Sequence, residues 1–164
     1  MKKFLLIFAA LSVIFTASSQ SPTDSLLQLC EKATEKQKPG LYLEISFYSR
    51  DDSAKSNSFT RKAYKLAVKN HQIFEQAKAF YYLGETEYYS REYTRGILYY
   101  EKAIPLFQQL KDTFLLANCY NSIGLCYFDM YQGEKAIAQF IEGLKLCEND
   151  KKFTAQLISN IAMT

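Results

Sequence analysis

The chain has one histidine, His71, and no HExxH pair, glycine-rich phosphate loop or nucleophile elbow. Metal-assisted hydrolysis and nucleophilic catalysis therefore lack their parts. The expectation is a protein that is not an enzyme and uses no cofactor or metal. Asp51 and Asp52 are neighbouring carboxylates, but between Arg50 and Ser53 they read as a solvated turn. Glycine (6) and proline (3) are scarce in 164 residues, whereas β-sandwiches carry turn signals roughly every 8 to 12 positions. That scarcity favours an all-α chain with short connections. The four cysteines include no CxxC spacing, which with the single histidine argues against structural zinc. Cys119 and Cys126 fall on one helical stretch, roughly 10 Å apart at about 1.5 Å of rise per residue, beyond the reach of a disulfide. They read as compact buried thiols, with a bridge from Cys147 to one of them as the alternative.

Long hydrophobic runs are also missing, with one exception at the start. Lys2 and Lys3 precede an apolar stretch from Phe4 to Phe15, and Ala17-Ser18-Ser19 supplies the small residues that a signal peptidase reads. Residues 1–19 are therefore expected to be a cleavable signal peptide, cut before Gln20, and the protein to be exported to the periplasm or secreted. The run is shorter than the roughly 20 apolar residues that cross a bilayer, and no second one follows. A lipid anchor is excluded because no cysteine follows the run closely; Cys30 comes after Leu-Leu-Gln-Leu. Removing the two leader lysines lowers the formal net charge from +3 to +1. So neutral a chain has no electrostatic footprint for nucleic acid.

What is present is helical pattern. With 48% hydrophobic residues the chain can build the core of one domain. Ser21-Pro22-Thr23-Asp24 reads as a capped helix start, and Lys38-Pro39-Gly40 as its stop, making residues 20–40 a capping helix and linker. From Leu41 to Ser49 the apolar positions alternate, which suggests a strand. A lone strand has no partner, so a helix is the preferred reading. Residues 41–70 are read as an irregular first repeat, since Tyr64-Lys65-Leu66-Ala67 is similar to Tyr100-Glu101-Lys102-Ala103.

Two clear units follow, over residues 77–113 and 117–150, and a partial third from Ala155. Leu83-Gly84 is answered by Ile123-Gly124, Tyr100 by Phe140 and Ala103 by Gly143, each 40 residues on. A fixed period of this kind marks a repeat architecture, each unit burying its apolar face against its neighbours. Small residues at Gly84, Gly96, Gly124 and Ala136 let helices approach closely, and aromatic rings fill the space alongside. Pro105, inside a helix, predicts a kink or an early end.

With these positions in view the chain resembles the tetratricopeptide repeat (TPR) family, whose pattern is aromatic-x-x-Leu-Gly-x-x-Tyr on helix A and Ala-x-x-x-aromatic-x-x-Ala on helix B. Tyr120-x-x-Ile123-Gly124-x-x-Tyr127 follows it closely, with Ala136, Phe140 and Gly143 on helix B. The first unit departs at Glu87, where Tyr is expected, and at Gly96. The 40-residue period exceeds the family's norm of about 34 residues, as in bacterial regulatory TPR proteins. The resemblance implies an all-α superhelix of antiparallel hairpins, a TPR-like solenoid. The partial third unit implies the front of a longer chain, with Leu157, Ile158 and Ile161 left uncovered, or a homodimer over that face.

The resemblance further implies a concave groove lined by helix A side chains. These are Lys78, Tyr81, Glu85, Tyr88 and Tyr89 from the first unit and Asn118, Asn121, Ser122, Leu125, Phe128 and Asp129 from the second. Gln156, Ser159 and Asn160 follow from the third. The cationic clamp with which some TPR proteins hold a peptide's C-terminal carboxylate is absent: its places carry Tyr81, Glu85, Ser122, Gln156 and Asn160. The expected function is a scaffold for protein or peptide binding, as the sensory N-terminal part of a signal-transduction regulator. Because tyrosine faces also stack on sugars, a glycan-binding accessory protein of the cell envelope is the alternative.

Overall fold

The computed structural model describes residues 21–147 and 150–164. The proposed leader and its cleavage site lie outside them. The described residues form eight helices and no strand: α1 (Pro22–Lys32), α2 (Lys38–Tyr48), α3 (Ser53–Lys69), α4 (Ile73–Tyr89), α5 (Tyr93–Leu110), α6 (Thr113–Asp129), α7 (Gly133–Leu144) and α8 (Lys151–Met163). Each packs on the next along the chain, and α2 touches α4 as α4 touches α6. The helices thus pair as hairpins α2–α3, α4–α5 and α6–α7, stacked side by side in an all-α superhelix.

Starts and stops have local causes. Ser21, Asp52, Asp112 and Asp150 each accept a backbone N–H of the helix they precede, satisfying a donor left free in the first turn. Between α3 and α7 every link is the same. His71, Arg91, Lys111 and Tyr131, each 20 residues after the last, adopt left-handed φ values of 55°, 61°, 56° and 59°. The following N–H groups, of Gln72, Glu92, Asp112 and Gln132, donate to the carbonyls of Ala67, Glu87, Phe107 and Tyr127 at 2.8–3.1 Å. This is the Schellman closure, in which glycine is the usual left-handed residue; here no glycine occupies it. Tyr131, 97% exposed, has no packing to lose. Tyr131→Gly is therefore expected to stabilise the protein by about 0.5–1 kcal/mol, the relieved left-handed strain less the added freedom of the unfolded chain. Urea denaturation measures it, and a loss of stability would contradict it.

The repeated glycines and rings form the interior. A methyl placed on Gly84 would lie 2.6 Å from Cε1 of Tyr100, and one on Gly124 would run into the ring of Phe140. A methyl on Gly96 would lie 3.3 Å from the Gly84 carbonyl oxygen, and one on Gly143 3.4 Å from that of Ala117. Tyr100, Phe107 and Phe140 are fully buried. The α2–α3 hairpin uses another device. Ser46 Oγ hydrogen-bonds with Ser56 Oγ at 2.9 Å and with Thr60 Oγ1 at 2.6 Å, all three buried. Short hydroxyl side chains there hold helices together where the later hairpins use glycine and ring.

The structure corrects several sequence expectations. Residues 41–48 are helical, as preferred, but Lys38-Pro39-Gly40 does not stop a helix; it begins α2, with buried Pro39 in the first turn. Proline's missing N–H costs nothing there. The preceding helix ends earlier, at Lys32. The first clear hairpin begins at Ile73, not Ala77. Helix α5 runs through Pro105 to Leu110, so the early end does not occur. Leu157 is not left uncovered. It is fully buried, its nearer methyl 3.4 Å from a Cβ position on Gly143, because α8 packs on α7 before it. Of the three residues named, only Ile158 is exposed, at 55%.

Candidate functional site

Helices α2, α4 and α6, the first of each hairpin, and α8 are tied laterally by polar contacts. Lys78 Nζ is 3.7 Å from Glu44 Oε1, between α4 and α2. Tyr81 Oη and Ser122 Oγ are 3.5 Å apart, between α4 and α6. Asn160 Nδ2 donates to Asn121 Oδ1 at 2.8 Å, between α8 and α6. These ties join residues about one repeat apart in sequence, so the helical period itself aligns them.

On this face opens a cavity of about 220 Å³, lined by Tyr81, Glu85, Tyr88, Tyr89, Tyr100, Asn118, Asn121, Ser122, Leu125 and Gln156. Nine of these are expected groove residues. Lys78, Phe128, Asp129, Ser159 and Asn160 do not line it. Lys78 is drawn toward Glu44, and Asn160 is spent on Asn121. Phe128 and Ser159 are exposed, and the Asp129 carboxylate lies near Tyr88. Asn121, expected to be free for a ligand, is buried and already bonded. Tyr100 was legible only as a packing residue. It belongs to α5, yet reaches the cavity because Gly84 opposite leaves its ring room.

A narrower cleft of about 30 Å³ adjoins, lined by Ser46, Phe47, Arg50, Ser53, Ser56, Tyr82, Glu85, Thr86 and Tyr89. Glu85 and Tyr89 form the partition. Arg50 lies with its guanidinium carbon 4.3 Å from the Phe47 ring centroid. Among the described residues Glu85 has no ion pair within 4 Å and no hydrogen bond from another side chain. Burial pushes its carboxyl up to about 7, against a lowering pull from Arg50. Burial likewise raises the Tyr81, Tyr82, Tyr88 and Tyr100 hydroxyls well above their usual range, and the nearby Asp129 carboxylate adds to the effect at Tyr88. These rings stay neutral donors at ordinary pH.

The other unusual carboxylate, Glu87, has a structural use. It is buried and accepts a 2.9 Å bond from Arg95 Nη2, joining α4 to α5 across their turn. The departure of Glu87 from the repeat pattern was the visible sign of this pair. All four cysteines are free and buried. Burial pushes the Cys126 thiol up to about 12 and raises those of Cys30, Cys119 and Cys147. Such thiols are poor nucleophiles. Among the described residues no group of three or more His, Cys, Asp and Glu could hold a metal ion, and no helix is long and apolar enough to cross a membrane.

No family model matches the chain, and no curated protein does. Solved structures do. The crystal structure of BtubC (BKLC) from P. vanneervenii matches with a TM-score of 0.71 and 19% identity over 79% of this chain. The apo form of RapI matches with a TM-score of 0.73 and 19% identity over 82% of this chain. The chain covers 56% and 39% of their respective lengths. At this identity the likeness is one of fold, an all-α helical-repeat superhelix.

Proposed function

We propose that the chain is an exported, non-enzymatic TPR-like scaffold that binds a protein partner, through an extended segment, in the groove of α4, α6 and α8. One observation carries the reading: the cavity is walled by four tyrosines and by amide and hydroxyl side chains, and it lies on the face the successive hairpins share. Rigid aromatic rings give large contact area at low cost in lost rotamers, and amides give adaptable hydrogen bonds. The lysine-flanked apolar leader supports export. A regulator whose sensory part this would be is the more specific form, supported by the lengthened repeats.

Tyr89 tests the reading cleanly because it lines the cavity while 69% exposed, so its loss leaves the core intact. Peptides selected from a random linear library on the immobilised protein are expected to bind Tyr89→Ala about tenfold more weakly, the cost of one aromatic contact at an interface. Tyr81→Ala should weaken them further, with helicity by circular dichroism unchanged. Peptides indifferent to both changes would rule out the groove. The same tyrosines and amides support a second reading, an oligosaccharide ligand; a calorimetric titration with cell-wall and dietary oligosaccharides that gives no heat removes it.

A further inference from the structure

We infer that the cavity is a subsite for a basic side chain, arginine above all, presented by an extended peptide segment of the partner. Glu85 would be its counter-charge and the tyrosine rings its walls. The inference rests on the groove reading above and names what the groove selects. Glu85 is the one charged residue lining the cavity. Neither nearby cation makes an ion pair with it within 4 Å among the described residues. Lys78 sits 3.7 Å from Glu44, and Arg50, which pulls on the Glu85 carboxyl from the adjoining cleft, lies over Phe47. The second charge near the groove, Asp129 against Tyr88, is also negative.

A carboxylate on a tyrosine-lined wall with no donor of its own is completed by a donor that arrives with the ligand. Arginine fits best because its planar guanidinium can give parallel N–H bonds to a carboxylate while its face lies on an aromatic ring. The rings line the same cavity as Glu85 in two packed pairs: Tyr81 lies 5.5 Å from Tyr100, and Tyr88 5.5 Å from Tyr89, centroid to centroid. Burial already holds the Glu85 carboxyl above its ordinary range, and a cation beside it favours the ionised form. A ligand led by a carboxylate would meet repulsion instead.

The experiment is selection from a random linear phage-displayed library on the whole protein, followed by affinity measurement with the selected peptides resynthesised with amidated C-termini. Arginine or lysine is expected in the selected sequences. Replacing the arginine by uncharged citrulline should weaken binding to the wild-type protein about 10- to 100-fold, the worth of a charge-assisted hydrogen bond. Glu85→Gln should weaken the arginine peptide similarly and abolish the preference over citrulline, while Glu85→Asp keeps part of it. Selected peptides without basic residues, or affinities that ignore Glu85→Gln but fall on Tyr89→Ala, overturn the subsite and leave the groove standing. Peptides indifferent to both variants, or no selection at all, overturn both.

Discussion

Gly124→Ala is expected to destabilise the protein by about 1–3 kcal/mol, seen as a fall of several degrees in Tm. Helix propensity alone gives the opposite sign, since alanine is favoured over glycine by about 1 kcal/mol within a helix. The contact decides the outcome. The new methyl would run into the ring of Phe140, which is fully buried and cannot swing into solvent, so the ring or the α6–α7 spacing must shift. Phe140→Leu in the Gly124→Ala background should recover part of the loss, because the smaller side chain vacates the overlap, whereas Phe140→Leu alone should only destabilise. A double-mutant cycle from urea denaturation reads this coupling. Additive effects would mean that the two sites do not meet.

Glu85→Gln is expected to stabilise the protein at pH 8 by on the order of 2–3 kcal/mol and to change little at pH 5. The folded state raises this carboxyl from its ordinary 4.5 to about 7 by burying it. The group's contribution is therefore fully present below pH 4.5, where it is protonated in both states. It is lost as pH rises through 7, where folding must hold an ionised carboxylate away from water. The groups facing it are Arg50, whose charge opposes the shift, and the hydroxyls of Tyr81, Tyr82, Tyr88, Tyr89 and Tyr100 along the cavity and its adjoining cleft. Comparing the wild type with the glutamine variant cancels the other titrations. A difference that stays constant from pH 5 to 8 would show that Glu85 does not titrate in this window. Greater stability without the carboxylate is what a residue kept for binding, at a cost to folding, would give.

The repeat was legible because its period is carried by residues whose size is the function. Gly84 and Gly124 must be small and Tyr100 and Phe140 must be rings, so their 40-residue spacing stands out of the sequence. The start of α2 was misread because Pro39-Gly40 breaks a helix from within but is tolerated in a first turn, and the two contexts look alike in sequence. Leu157 was misjudged because its cover comes from a helix earlier in the chain, a relation that a pattern of single helices does not express. In the groove, the family resemblance named Tyr81, Glu85, Ser122 and Leu125, which the structure brings to one cavity. It could not show that Asn121 is already paired with Asn160, or that Lys78 turns toward Glu44. Those are choices of partner across helices, and sequence periodicity records position only.

The four left-handed links bear on how the groove meets a ligand. Each joins two helices through two or three residues fixed by the same pair of backbone hydrogen bonds, so the chain between α3 and α7 has no slack segment at which one hairpin could swing against the next. The groove wall built from α4 and α6 keeps its curvature before a partner arrives. The entropy of association then falls on the ligand's own ordering and on a few rotamers such as Tyr89. Changes at these links should alter the rate at which a bound segment leaves more than the rate at which it finds the groove.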